Sequence, residues 1–254
     1  MVRLVGMSHA SELSDDAFAI GAGVHEVRPR KTEMTQRLLG ETIRLSDKEW
    51  QEPSLLPGWT RAHVATHVAR NADGLARSLE ALDRGRAQRM YTSEAARQSA
   101  IERGSQRSGL DLQIDLDTSA GHLNRVFDLL DTIDPQTMIE LRAGFRIPVK
   151  LLPLARLNEV VLHHVDLNVG FGVDDIPQPV ARWLVEWTLL RLAGRADVPA
   201  MVISSTSGLR STLGGIGEHL NVHGSDQALL GWLTGRAHGE TLQGTGGITL
   251  PLLG

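Results

Sequence analysis

The 254-residue chain has no cysteine. That absence excludes disulfides, thiolate metal ligands and a protein-borne cysteine nucleophile. If sulfur chemistry happens here, a small molecule must bring the sulfur. Charge of one sign is lacking too: 26 Lys and Arg face 30 Asp and Glu, a net −4 with the histidines neutral. No broad basic footprint for nucleic acid exists. The short groups "RPRK" (28–31) and "RGRAQR" (84–89) read as solvated helix ends. No apolar run approaches the roughly 20 residues that cross a bilayer, so no membrane partner is expected. The opening "MVRLVGMSHASELSDD" has too short an apolar core for a secretory signal and turns acidic at once. The expected compartment is cytoplasmic. Internal repeats and low-complexity tracts are missing as well.

What the chain does have is helical periodicity. Residues 1–30 read as an N-terminal extension, with one short helix expected in "ELSDDAFAI" (12–20). From Lys31, "KTEMTQRLLGETIRLSDKEW" repeats apolar residues at three- and four-residue intervals. "PSLLPGWT" (53–60) breaks the chain, with Pro57-Gly58 suited to a tight turn. Thr60 is placed to cap a helix through "RAHVATHVARNADGLARSLEALDRG" (61–85). Further helices are expected over "SEAARQSAIERG", "LDLQIDLDTSAGHLNRVFDLLDTI" and "LLPLARLNEVVLHHVDLNVG", the last ending at its glycine, Gly170. "RAGFRIPV" (142–149) is a connecting strand or loop.

Four long helices within residues 31–173 predict an antiparallel bundle. Beyond "FGVDDIPQP", one amphipathic helix, "VARWLVEWTLLRLAG", precedes the β-prone segments "AMVISSTS", "HLNVHG" and "GITL". A Ser225-capped helix, "DQALLGWLTGR", interrupts them. The expected fold class is α+β, mainly α: a bundle over 31–173 and a small α+β domain over 174–254.

Within the fourth long helix, "NEVVLHHVDLNVG" places Glu159, His163 and Asp166 on one stripe. Leu157, Val160, Val161 and Leu162 flank them. An unpaired charge in apolar surroundings costs several kcal/mol, so something must compensate it. A divalent metal is one compensation. A salt link from Glu159 to Arg156, or to a protonated His163, is another. The earlier helix carries a matching oddity: His63 and His67 are four apart, with Asn71 continuing the line. Facing one another across a bundle, His67, Glu159 and His163 would make a two-histidine, one-carboxylate site with open positions. Such a donor set suits zinc and is possible for other divalent ions. Taken singly, each short motif is more often an ordinary helix-face pair. Spacing alone leaves the choice open.

A resemblance narrows it. "SLLPGWTRAHVATHVARNA", "MYTSEAARQSAIERGS" and "LNEVVLHHVDL" resemble, in order and spacing, blocks of the mycothiol-dependent maleylpyruvate isomerase family. The likeness covers most of the chain from Lys31. It implies a DinB-like four-helix metal domain with a small C-terminal α+β domain. It also implies a divalent metal, zinc by preference, held by His67, Glu159 and His163, and mycothiol as the thiol. His63 then supports the site or packs its helix, and Asp166 supports it by accepting a hydrogen bond. "GWLTGR" resembles the segment that brings an arginine to the cleft, here Arg236, a fork able to hold a carboxylate. The competing reading of Arg236 is a helix C-terminal cation on the dipole. Tyr91 and Arg97 would line the same cleft. Arg70, inside "HVARN", is a position where relatives in the family differ, so the resemblance does not fix the substrate. His164 points off the stripe and is given no role.

An open zinc position acidifies what binds there and turns a coordinating thiol into a thiolate. For maleylpyruvate, the mycothiol thiolate would add to the cis double bond. Rotation and elimination would then give fumarylpyruvate. A mycothiol S-transferase acting on another electrophile would need the same ligands and a different cleft. A metal-dependent hydrolase and a non-catalytic metal-binding module are the readings from other classes. The expected partners are a small-molecule substrate and mycothiol.

Overall fold

The computed structural model describes residues 24–214 and 218–253. The short helix expected at 12–20 lies outside the described residues. In chain order the helices are α1 (Val24–Thr42), α2 (Asp47–Trp50), α3 (Arg61–Asp83), α4 (Glu94–Gly104) and α5 (Gly109–Val126). A hairpin of β1 (Met138–Glu140) and β2 (Arg146–Pro148) leads into α6 (Leu152–Asp166) and α7 (Gln178–Leu192). The strands β3 (Met201–Ser205), β4 (Arg210–Leu213) and β5 (Leu220–Gly224) precede α8 (Asp226–Leu233). The fold is α+β, mainly α.

Helices α1, α3, α5 and α6 pack against one another as the bundle. Their periodic apolar residues meet inside it: Met34 and Leu38 from α1, Leu75 and Leu79 from α3, Leu112 from α5, Leu157 from α6. Each such buried side chain contributes about 1.5–3 kcal/mol relative to exposure. One apolar core runs from these residues into the C-terminal part.

Helix α1 begins at Val24, inside the expected extension 1–30, and three further readings differ, each for a local reason. The helix expected from Lys31 to Trp50 is two helices. Ser46 opens α2 with a capping box, Glu49 N–H donating to Ser46 Oγ and Ser46 N–H to the Glu49 carboxylate at 2.8 Å. Helix α6 stops at Asp166, short of Gly170. Asn168 takes the left-handed turn at φ 54. Arg61 then donates to Leu167 O at 2.9 Å and Asn168 O at 3.0 Å. The first residue of α3 thereby holds the carbonyls just past the end of α6, which aligns the faces of the two helices. The third correction concerns "GITL", which is not a strand. Gly244, Gly246 and Gly247 around it have positive φ, and Ile248 O accepts from Trp232 Nε1 at 2.8 Å.

The C-terminal sheet has the order β4-β3-β5. Strand β3 runs antiparallel to β4, Met201 opposite Leu213, and parallel to β5, Met201 opposite Leu220. Strand β4, "RSTL", is too short and polar to announce itself. Helix α7 packs on both α6 and α8. After α8, Gly235 adopts φ +70, and a Cβ there would lie 2.7 Å from Pro251 O. Arg236 N–H returns to Gly231 O at 2.8 Å. That turn aims Arg236 back at α6. No described helix is long and apolar enough to cross a membrane.

Candidate metal centre

His67 lies in the second turn of α3, and Glu159 and His163 sit on successive turns of α6. The i,i+4 spacing gives those two a common face, and the Arg61 clamp sets α3 opposite it. His67 Nε2 is 3.2 Å from Glu159 Oε2, and His163 Nε2 is 3.6 Å from the same oxygen. The two imidazoles are perpendicular, with centroids 4.6 Å apart. One ligand atom from each residue falls within 4.8 Å of the others. Donors bound at about 2.0–2.2 Å to a shared tetrahedral ion lie roughly 3.4 Å apart. The cluster therefore fits a divalent ion.

Behind His163 stands Asp166, fully buried, with Oδ2 2.8 Å from His163 Nδ1. Arg236 closes its fork on the same carboxylate, Nε to Oδ1 at 2.9 Å and Nη2 to Oδ2 at 2.7 Å. With Asp166 holding the Nδ1–H, a metal bound to His163 would take the Nε2 lone pair on the cluster side, the arrangement metal-ligating histidines use. Charges follow from these contacts. Burial, and then the neighbouring His163, hold His67 down at about 4, so it is neutral near pH 7. Burial opposes charge on His163, but hydrogen bonds to Asp166 and Glu159 hold its pKa above the ordinary value. Burial works against the Glu159 anion, yet hydrogen bonds from both histidines keep it well below the usual carboxylate range.

A family model described as "Mycothiol maleylpyruvate isomerase N-terminal domain" matches residues 32–168, more than half of the chain and all three residues of the cluster. The chain belongs to that family. It also resembles two solved structures, a crystal structure of the mycothiol-dependent maleylpyruvate isomerase and one of a histidine-to-alanine mutant. Each gives a TM-score of 0.80 at 23% identity, over 91% of this chain and 96% of that one. At that identity the likeness is one of fold. No curated protein matches the chain.

The maleylpyruvate isomerase family provides the frame for the remaining residues. His63 does not join the cluster. Its Nδ1 accepts from Thr60 N–H at 3.2 Å, closing the cap of α3, and its Nε2 lies 3.2 Å from Ser105 Oγ. The alternative salt link from Glu159 to Arg156 does not form, because Arg156 donates to Val68 O and Asn71 Oδ1, both at 2.8 Å. Arg70 pairs with Asp73 and Asp115 and does not line the cavity. Arg236 lies in the cavity wall, but its guanidinium is not an open carboxylate clamp. Its fork is taken by Asp166, and Nη1 donates to Thr234 O and Leu253 O, both at 3.2 Å.

A cavity of about 530 Å³ opens beside the cluster, a size that takes a small molecule. Tyr91 and Arg97 line it. Arg97 Nη2 is 3.1 Å from His67 Nδ1, and its guanidinium lies 5.8 Å from the Tyr91 ring. Burial pushes the Tyr91 hydroxyl pKa up. Sequence reasoning missed Trp59, which meets His67 edge-on at 5.7 Å, and also Glu94, Arg142 and Arg191 in the walls. Arg142 belongs to "RAGFRIPV", the segment expected to be a connecting strand or loop, which carries no local signal for a site.

Proposed function

We propose that the chain is a mycothiol-dependent metalloenzyme, with maleylpyruvate cis–trans isomerisation as its best-supported reaction. The observation that carries this reading is the His67–Glu159–His163 cluster opening onto a cavity in a cysteine-free chain. A divalent ion held by those three residues, zinc being the best match to the donors, would acidify a thiol bound beside it.

The chain's own residues supply the rest. Arg236 and Asp166 fix the tautomer and orientation of His163. Glu159 brings an anion that its two histidine partners already stabilise. Trp59, Phe145 and Trp187 give the cavity apolar walls, which limit water near a reactive sulfur. Arg97, Arg142 and Arg191 bring positive charge to the same walls, which suits a carboxylate-bearing acceptor. In the reaction a C–S bond forms at one alkene carbon while the π pair moves toward the conjugated carbonyl. The remaining C–C bond rotates, the pair returns, and the C–S bond breaks to release the trans product and the thiol.

The test is conversion of maleylpyruvate to fumarylpyruvate, with and without mycothiol, on protein whose metal content is measured. Turnover that needs both supports the reading. Conjugation of mycothiol to a general electrophile without isomerisation replaces it with an S-transferase. Thiol-independent hydrolysis of esters or amides replaces it with a hydrolase. Protein that holds no metal and turns nothing over is a binding module.

A further inference from the structure

Beside the metal cluster, one carboxylate of the protein occupies a place built for an anion. Glu94 stands in the first turn of α4, at the cavity rim. Its Oε1 is 3.1 Å from Arg97 Nη1 and 3.0 Å from Arg142 Nη2, and its Oε2 is 3.1 Å from Arg142 Nε. Two guanidinium groups from separate elements, α4 and the turn between β1 and β2, thus converge on a single carboxylate. Arg142 presents its fork bidentately, the geometry that recognises carboxylates.

The two arginines are not equivalent. Arg97 is buried, and its Nε makes no hydrogen bond; the buried Tyr91 hydroxyl likewise has no well-formed partner. Buried donors without partners are uncommon and call for an occupant. Glu94 and Arg142 are half exposed, with side-chain exposures of 57% and 47%. The Glu94–Arg142 contact is an exposed ion pair, which contributes only about 0–1 kcal/mol, so an incoming anion can displace Glu94 from Arg142 at little cost. Arg97 also touches the metal-cluster residue His67, which sets this anion position next to the reaction centre.

We propose that Arg97 and Arg142 form a carboxylate subsite, that Glu94 is its built-in occupant, and that one carboxylate of a dicarboxylate substrate replaces Glu94 there. The proposal rests on the reading of this cavity as the site of an anionic substrate. It also assigns Arg236 a different duty, since its fork is closed on Asp166 and it cannot serve as this clamp.

The experiment is calorimetric titration of metal-loaded protein with maleate, a cis-dicarboxylate, in the absence of thiol. Glu94→Gln removes the competing charge and keeps the shape. It should tighten maleate about fivefold, the ratio equivalent to the upper range of an exposed ion pair. Arg142→Gln, at an exposed hairpin position, should weaken maleate by a similar factor, with Arg142→Lys in between. The uncharged dimethyl maleate should respond to none of these changes. Unchanged or weaker maleate binding by folded Glu94→Gln overturns the proposal, and so does tightening shared equally by the diester. Maleylpyruvate turnover combined with no maleate response to Glu94→Gln rejects the subsite alone. A fivefold response in a protein that never isomerises maleylpyruvate keeps the subsite and rejects the isomerase reading.

Discussion

His163 and His164 are neighbours on α6, and both are buried beside a carboxylate, yet they live in different chemical worlds. Successive helical residues point about 100° apart, so one faces the cavity and the other faces α1. His163 has Asp166 on Nδ1 and the Glu159–His67 pair before Nε2. His164 has Glu41 at 3.0 Å from Nε2, and its ring stacks on Phe171 at 4.1 Å and 10°. Arg37 lies over that phenylalanine at 4.5 Å and pairs with Glu41 at 2.9 Å. The His164 Nδ1 has no hydrogen bond. Protonation differs accordingly: His163 is held above its ordinary pKa, while burial takes His164 down to about 4. A buried histidine next to an acid is therefore common structural material. What marks His163 is a second imidazole, an orienting carboxylate behind it and an open cavity in front.

The hardest way to break the comparison is to remove the three residues proposed to hold the metal. His67→Ala, Glu159→Ala and His163→Ala should each lower metal affinity and mycothiol-dependent turnover together, by more than about 100-fold. That bound follows because even residues behind the ligands are worth 10–100-fold. Metal per chain from elemental analysis, read beside turnover, is the measurement. Stoichiometric metal in all three purified variants would defeat the assignment.

How much of this was legible beforehand depends on the range of the interaction. The Glu159–His163 stripe is a local, i,i+4 property, and helical periodicity displays it. That His67 rather than His63 completes the cluster depends on how α3 lies against α6. Arg61, gripping Leu167 O and Asn168 O across the bundle, makes that choice. The Asp166–Arg236 pair joins residues 70 positions apart, and nothing in either segment specifies the other. The burial of His164 is not legible for a further reason. Side chains off an amphipathic stripe normally face water, but α1 covers one side of α6 and α7 another, so almost every residue of α6 is buried. The Glu94–Arg142 pair was hidden because a hairpin turn and a helix start meet only in the folded chain.

A gentler cut separates orientation from ligation. Arg236→Ala leaves the Asp166 carboxylate buried with His163 as its remaining side-chain partner among the described residues. Losing one member of a buried ion pair costs about 3–5 kcal/mol, and slackening the carboxylate behind a ligand costs about 10–100-fold in metal affinity. Denaturant unfolding of metal-free protein reads the first, and competition with a chelator reads the second. Arg236→Lys keeps the charge and loses the fork, so it should fall between wild type and alanine on both scales. Wild-type metal affinity in Arg236→Ala would mean that Asp166 holds His163 without help.

The smallest effect should come from His164, and its sign should change with pH. The imidazole is depressed from 6.5 to about 4 in the fold. Between those values the unfolded chain carries a proton that the folded protein refuses, so stability is lost as pH falls through that window. His164→Phe removes the titration and the orphaned Nδ1, keeps an aromatic ring against Phe171, and leaves Glu41 paired with Arg37. At pH 7 the slightly larger ring should make the variant equal to wild type or about 1 kcal/mol less stable. At pH 5 it should gain roughly 1–2 kcal/mol relative to wild type, because only wild type has to strip a proton from this side chain on folding. His67, depressed to a similar value, titrates in both proteins and cancels from the difference. Urea unfolding of the two metal-free proteins at both pH values measures the change, while metal content of the loaded variant should match wild type. A pH-independent difference between them would show that the closed pocket does not set the acid response, and that His164 and His163 differ less than their contacts imply.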